Sequence, residues 1–68
     1  MSKMLKLRGI YLSVPNKMPI EEADEYARYV EGKDFQTKPR RVKVQVIGEY
    51  IELTYMFADK ALTERLVR

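Results

Sequence analysis

Sixty-eight residues make one domain at most, and a chain this short buries only roughly 60% of its unfolded surface, which leaves a thin core. It has no cysteine and no histidine, which excludes disulfides, thiolate metal sites and the commonest proton carrier near neutral pH. The net charge is +3, with two basic segments, residues 1–19 and 32–45, flanking an acidic one that holds Glu21, Glu22, Asp24, Glu25 and Glu31 against Arg28.

The opening residues, Met1 to Pro15, lack an apolar run long enough for a signal peptide or a membrane span. The chain therefore reads as soluble and cytoplasmic, with no membrane partner. Its apolar positions alternate as in a strand, but the parity switches. Leu5 and Leu7 are odd, whereas Ile10, Leu12 and Val14 are even. The switch falls at Arg8-Gly9. A glycine-containing bulge within one strand is the expected cause, because a two-residue Arg-Gly turn would ask Arg8 for a positive φ. Close approach of a ligand to Gly9 is the alternative.

From Pro19 the period becomes helical. Ile20, Ala23, Ala27 and Val30 fall on one stripe with Tyr26 at its edge. Pro19 suits the first turn, Glu21 and Glu22 suit the positive end of the dipole, and Asp24 can pair with Arg28 four residues on. With Gly32 as the C′ residue, the helix is expected over 19–31. Its outer face carries Glu22, Glu25 and Tyr29, either as a solvated surface or as a protein-docking face anchored by the tyrosine. Lys33 to Pro39 reads as a loop.

A second parity switch occurs at Gly48. Val42, Val44 and Val46 are even, and Ile51, Leu53 and Tyr55 are odd. One continuous strand would bury the first trio and expose the second, and would span about 50 Å, too long for so small a domain. Gly48-Glu49 as a type II′ turn resolves both difficulties. The register then pairs Val46 with Ile51, Val44 with Leu53 and Val42 with Tyr55 on the inner face. On the outer face it pairs Ile47 with Tyr50, Gln45 with Glu52, Lys43 with Thr54 and Arg41 with Met56.

Asp59 is positioned to cap a short helix running to Arg68, with Ala61, Leu62 and Leu66 inward. The expected architecture is a single α+β domain over 1–68, ordered β-α-β-β-α. It would have a three-stranded sheet with a C-terminal β-hairpin and helices on one face. Whether the first strand lies beside the second or the third is open.

Catalysis needs a positioned nucleophile, base or metal. Ser2 and Ser13 stand in no nucleophile elbow, and the glycines are scattered singly rather than grouped to cradle a phosphate. The chain is therefore expected to be non-enzymatic and to need no cofactor or metal. What remains is surface, and it supports two readings. In the first, a nucleic-acid-binding accessory protein uses Lys38, Arg40, Arg41 and Lys43 for phosphates and Tyr50, with Tyr11 as a further candidate, for stacking on an unpaired base. In the second, a small regulator or inhibitor binds another protein, including one with an acidic surface, through Ile47, Met56 and the helix face of Glu22, Glu25 and Tyr29. Homodimerisation through the exposed sheet face is compatible with either.

Overall fold

Alternation between a buried face and a more open one builds the centre of the sheet. A computed structural model describes residues 2–67. Five strands, β1 (Ser2–Lys6), β2 (Tyr11–Pro15), β3 (Arg41–Ile47), β4 (Tyr50–Met56) and β5 (Ala61–Val67), form one sheet in chain order. The helix α1 (Ile20–Glu31) lies between β2 and β3. Neighbours pair antiparallel except β2 and β3, which run parallel. Parallel neighbours cannot be joined by a tight turn, so the chain crosses over through α1 and its flanking loops.

The core lies between α1 and one face of the sheet. Leu12 and Val14 of β2, Val42 and Val44 of β3, and Ile51, Leu53 and Tyr55 of β4 are buried against Ala23, Ala27 and Val30 of the helix. Ile10 and Met18 join them from the flanking segments. Ala23 and Ala27 are four apart on one stripe, and their small side chains let the helix approach the sheet closely. Leu12, Ile51 and Leu53 are fully buried, each contributing roughly 1.5–3 kcal/mol over an exposed position.

The β3–β4 hairpin has the register expected from the parity switch, residue for residue from Arg41 with Met56 to Ile47 with Tyr50. Gly48 has φ +59° and Glu49 is not in the positive-φ region, the pattern a type II′ turn requires.

The rest of the expected architecture is overturned. Among the described residues the sheet has five strands rather than three, and it carries one helix rather than two. The β3–β4 hairpin is not C-terminal, because β5 follows it. Residues 61–67 pair with β4 from Met56–Ala61 to Tyr50–Val67 instead of forming a helix; Arg68 lies outside the described residues. Alternation is present there, with Leu62, Glu64 and Leu66 on the helix side, but a glutamate at its centre hides it. The open backbone edge of β4 supplies the ladder that outweighs the helix propensity of ALTERLV.

At the other edge, the parity switch at Gly9 is a hairpin and not a bulge. Lys6 pairs with Tyr11, and the Leu7 N–H donates to the Ile10 carbonyl at 2.7 Å. Gly9 alone takes positive φ, at +76°, so Arg8 is spared the conformation that argued against a turn. The first expected strand is thus β1 and β2, and β2 lies beside β3.

Smaller departures concern α1. It begins at Ile20 with extended Pro19 as its N-cap, and Gly32 ends it with φ −78° rather than in a left-handed C′ conformation. Ile20 and Val46, both placed on the inner side, are exposed; Val46 lines an open cleft with Met18, Pro19 and Glu22 at the start of α1. Among the described residues, no helix is long and apolar enough to cross a membrane.

Candidate nucleic-acid interface

With α1 on one face, the opposite face of the sheet is open. Alternation from the buried positions assigns to it Met4 and Lys6 of β1, Tyr11 and Ser13 of β2, and Arg41, Lys43, Gln45 and Ile47 of β3. Tyr50, Glu52, Thr54 and Met56 of β4 and Ala61, Thr63, Arg65 and Val67 of β5 also belong to it. The registers align these into rows. Lys6 is opposite Tyr11 and Tyr11 is opposite Arg41, so one row reads Lys6–Tyr11–Arg41 across three strands. The next reads Met4–Ser13–Lys43–Thr54. Tyr11 is 47% exposed between its two cationic neighbours, and Ser13 is buried.

The loop before β3 delivers further charge to the same end. Pro39 is fully buried, which pins the loop and leaves its neighbours Lys38 and Arg40 outside. The Arg40 backbone is held between strands: its N–H donates to the Met56 carbonyl at 2.8 Å, and its carbonyl accepts from the Tyr11 N–H at 3.3 Å. Lys38 Nζ donates to the Arg8 carbonyl at 3.4 Å, which ties the loop to the β1–β2 turn. Lys6, Arg8, Lys38, Arg40, Arg41 and Lys43 are all exposed at this end. Among the described residues, none of these cations is joined to an acid by a salt bridge. Glu31 lines a small cleft with Arg8 and Lys38.

The cations expected from sequence are therefore brought together, and Lys6 and Arg8 join them from β1 and its turn. Local sequence could not show this, because only the β1–β2 hairpin and the parallel β2–β3 pairing carry them there. Tyr50 is not part of the cluster. It pairs with Ile47, six residues along β3 from Arg41, about 20 Å away at strand rise. Tyr11, the further candidate, sits where Tyr50 was expected. Glu52, a carboxylate on the same face, is engaged by Arg65 at 3.3 Å. Ile47 is exposed and Met56 half-buried.

The acidic helix face has a different arrangement. Glu25 is exposed, while Glu22 is half-buried and accepts a hydrogen bond from the Tyr26 hydroxyl at 3.4 Å. Tyr29 does not stand free: its hydroxyl donates to Glu64 Oε2 at 2.6 Å. The Tyr55 hydroxyl donates to Glu64 Oε1, also at 2.6 Å, and Lys33 Nζ lies 3.4 Å from Oε1. The same ammonium sits 5.1 Å from the Tyr29 ring centroid and 5.7 Å from that of Tyr55.

The cluster sets its own protonation states. Burial pushes the Glu64 carboxyl up, but the two tyrosine hydroxyls, followed by Lys33, outweigh it and hold the group below the ordinary glutamate value. Desolvation works against the Lys33 charge, yet Glu64 and Tyr29 more than offset it, so its pKa is raised. Tyr55 is raised by burial first and then by its bond to Glu64, and Tyr29 is raised chiefly by its bond to Glu64. The group holds the C-terminal end of α1 and the segment after it onto β4 and β5. Sequence reasoning missed Glu64, whose hydroxyl partner Tyr29 is 35 residues away.

Beside this cluster a cleft of about 410 Å³ is lined by Phe35, Tyr55, Phe57, Leu62 and Thr63 together with its Lys33 and Glu64. A larger depression of about 640 Å³ lies between residues 34–37 and the β4–β5 turn. Among the described residues no three metal-ligating side chains converge. Comparison with known proteins finds no matching family model and no significant match to a curated protein or a solved structure.

Proposed function

We propose that the protein is a non-enzymatic accessory factor that binds unpaired nucleic acid on its open sheet face. The observation that carries this reading is the row Lys6–Tyr11–Arg41, a half-exposed aromatic ring set between two cations on adjacent strands. Lysine and arginine contact phosphates, and a tyrosine ring lying on a sheet offers a stacking platform for one base. Lys43 extends the row along β3, and Arg8, Lys38 and Arg40 extend it around the end of the sheet. The strands fix the spacing of Lys6, Tyr11, Arg41 and Lys43 before any ligand arrives, so little backbone ordering is needed on binding.

The protein-regulator reading loses part of its support at the helix, where the Tyr29 hydroxyl is already engaged by Glu64. A partner anchored on that hydroxyl would have to displace the carboxylate.

The test is an anisotropy titration of labelled single- and double-stranded DNA and RNA over a range of salt. About four phosphate contacts on a single strand give a slope of log affinity against log salt near −3. Arg41→Ala should weaken binding to all sequences alike and reduce that slope by about one. Tyr11→Ala should weaken single-strand binding about fivefold to a hundredfold and change duplex binding far less, because only an unpaired base offers a free face. Absence of binding at low salt, where the cationic end acts most strongly, refutes the reading.

A further inference from the structure

We propose that the open face carries a second stacking platform at its far end, and that an unpaired strand crosses the sheet diagonally from Tyr11 to Tyr50, covering on the order of four nucleotides. This path rests on the nucleic-acid reading above and adds to it a length and a second anchoring residue.

The second platform is a row of apolar side chains. Ile47 pairs with Tyr50 and Tyr50 pairs with Val67, so all three lie side by side on the open face of β3, β4 and β5. They are 48%, 49% and 78% exposed. Single exposed apolar residues are ordinary, but three in one row, away from the core, form a contiguous patch of the kind that marks a contact surface. An aromatic ring flanked by two aliphatic side chains can receive the flat face of a base.

What lies between the two ends decides the occupant. From the cationic end, the path runs over Arg41 and Lys43, then over uncharged Gln45 and Thr54, before reaching Tyr50. Glu52, the carboxylate nearest this path, is neutralised by Arg65 at 3.3 Å. Glu49 lies beyond it, in the turn at the rim. A polyanion thus meets its complement at one end and no uncompensated acid on the way across. A purely apolar protein partner would have no use for the cationic half of the path. A duplex would leave Tyr50 facing a backbone rather than a base.

The separation sets the length. Tyr11 and Tyr50 are two strands apart, about 10 Å, and six residues apart along the strand direction, about 20 Å, so the diagonal is about 22 Å. An extended strand of on the order of four nucleotides covers that distance, at the low end of the site sizes of single-strand grooves.

The experiment titrates labelled oligothymidylates and oligouridylates of about two to eight nucleotides against wild type and Tyr50→Ala at low salt. Amide shifts of Ile47, Tyr50 and Val67 are followed in parallel on wild-type protein. Wild-type affinity should rise steeply up to about four or five nucleotides and then level off. Tyr50→Ala should lose about fivefold to a hundredfold on the longer oligomers and almost nothing on dinucleotides. The three amides should shift with the longer oligomers only.

If wild type binds but Tyr50→Ala matches it at every length, the second platform is refuted while the proposed function stands. Amide shifts confined to the rows of Tyr11 and Ser13 refute it as well, independently of the variant's folding. A protein partner lost with Tyr50→Ala while oligomer binding is unchanged would also overturn this path. Failure of wild type to bind any oligomer removes the nucleic-acid reading itself.

Discussion

Replacing Glu64 with alanine removes the carboxylate that joins α1, β4 and β5. Tyr55 is only 5% exposed, and its hydroxyl donates to this carboxylate at 2.6 Å. Hydrogen bonds to charged acceptors contribute about 1.5–3 kcal/mol, and a buried hydroxyl left without a partner costs about 1–3 kcal/mol, two ways of describing the same loss. The Lys33 ion pair has side chains 33% and 30% exposed, and a pair so placed adds at most about 1 kcal/mol. The exposed Tyr29 hydroxyl can turn to water. Glu64→Ala should therefore cost about 2–4 kcal/mol, a large share of the roughly 3–10 kcal/mol total expected for this length.

The pH dependence follows from the lowered pKa of Glu64. A carboxyl held below its ordinary value of 4.5 adds stability that is fully present above that value and is lost as pH falls through its folded-state value. The difference between wild type and variant should therefore be largest near neutral pH and shrink below pH 4.5. Urea unfolding followed by circular dichroism at pH values on both sides of that window measures it. Glu64→Gln, which keeps an acceptor without the charge, should fall between the two. A neutral-pH loss under about 0.5 kcal/mol, or a difference that does not change with pH, would refute the assignment of the cluster as the tie between helix and sheet.

Two other outcomes are expected for the scaffold. Val44 is 2% exposed, so Val44→Asp places an unpaired charge in a thin core and should cost several kcal/mol, on the order of 3 or more; undiminished cooperative unfolding would show that Val44 is not inside. Gly9→Ala meets no atom within 4 Å but must keep φ near +76°, so it should cost about 1–2 kcal/mol in equilibrium unfolding, and a bulge-like backbone free to relax would show no cost.

The sequence disclosed structure wherever parity was carried by uninterrupted apolar residues. Val42, Val44 and Val46 against Ile51, Leu53 and Tyr55 left one register for β3 and β4, and that register is present. The same signal exists at Gly9, but parity alone does not separate a bulge from a hairpin. Steric reasoning about Arg8 assumes a two-residue turn needing positive φ at the arginine, whereas the connection places it on Gly9 alone. β5 is obscured for a different reason. Its inner positions alternate Leu62, Glu64, Leu66, and the central charge is tolerated only because Tyr29, Tyr55 and Lys33 meet it from elsewhere in the chain. No local pattern reports such partners. The basic cluster was legible as composition, but its aromatic member was not. Tyr11 comes to Arg41 through the parallel β2–β3 pairing, a long-range fact set by the crossover.

The two outermost strands share a trait with consequences for how this protein meets others. Each points a charge toward the helix side of the sheet: Lys3 on β1, whose ammonium donates to the Met18 carbonyl at 3.3 Å, and Glu64 on β5. Outer strands offer unpaired backbone to any passing extended chain, and inward-pointing charges are a means by which sheets discourage such additions. A strand docking on β5 would bring a side chain against the Glu64 carboxylate on the side where it would otherwise bury apolar surface. One docking on β1 would meet Lys3 in the same way. Growth of the sheet at either rim is thus penalised, whereas contact with the flat face does not require the backbone ladder to continue.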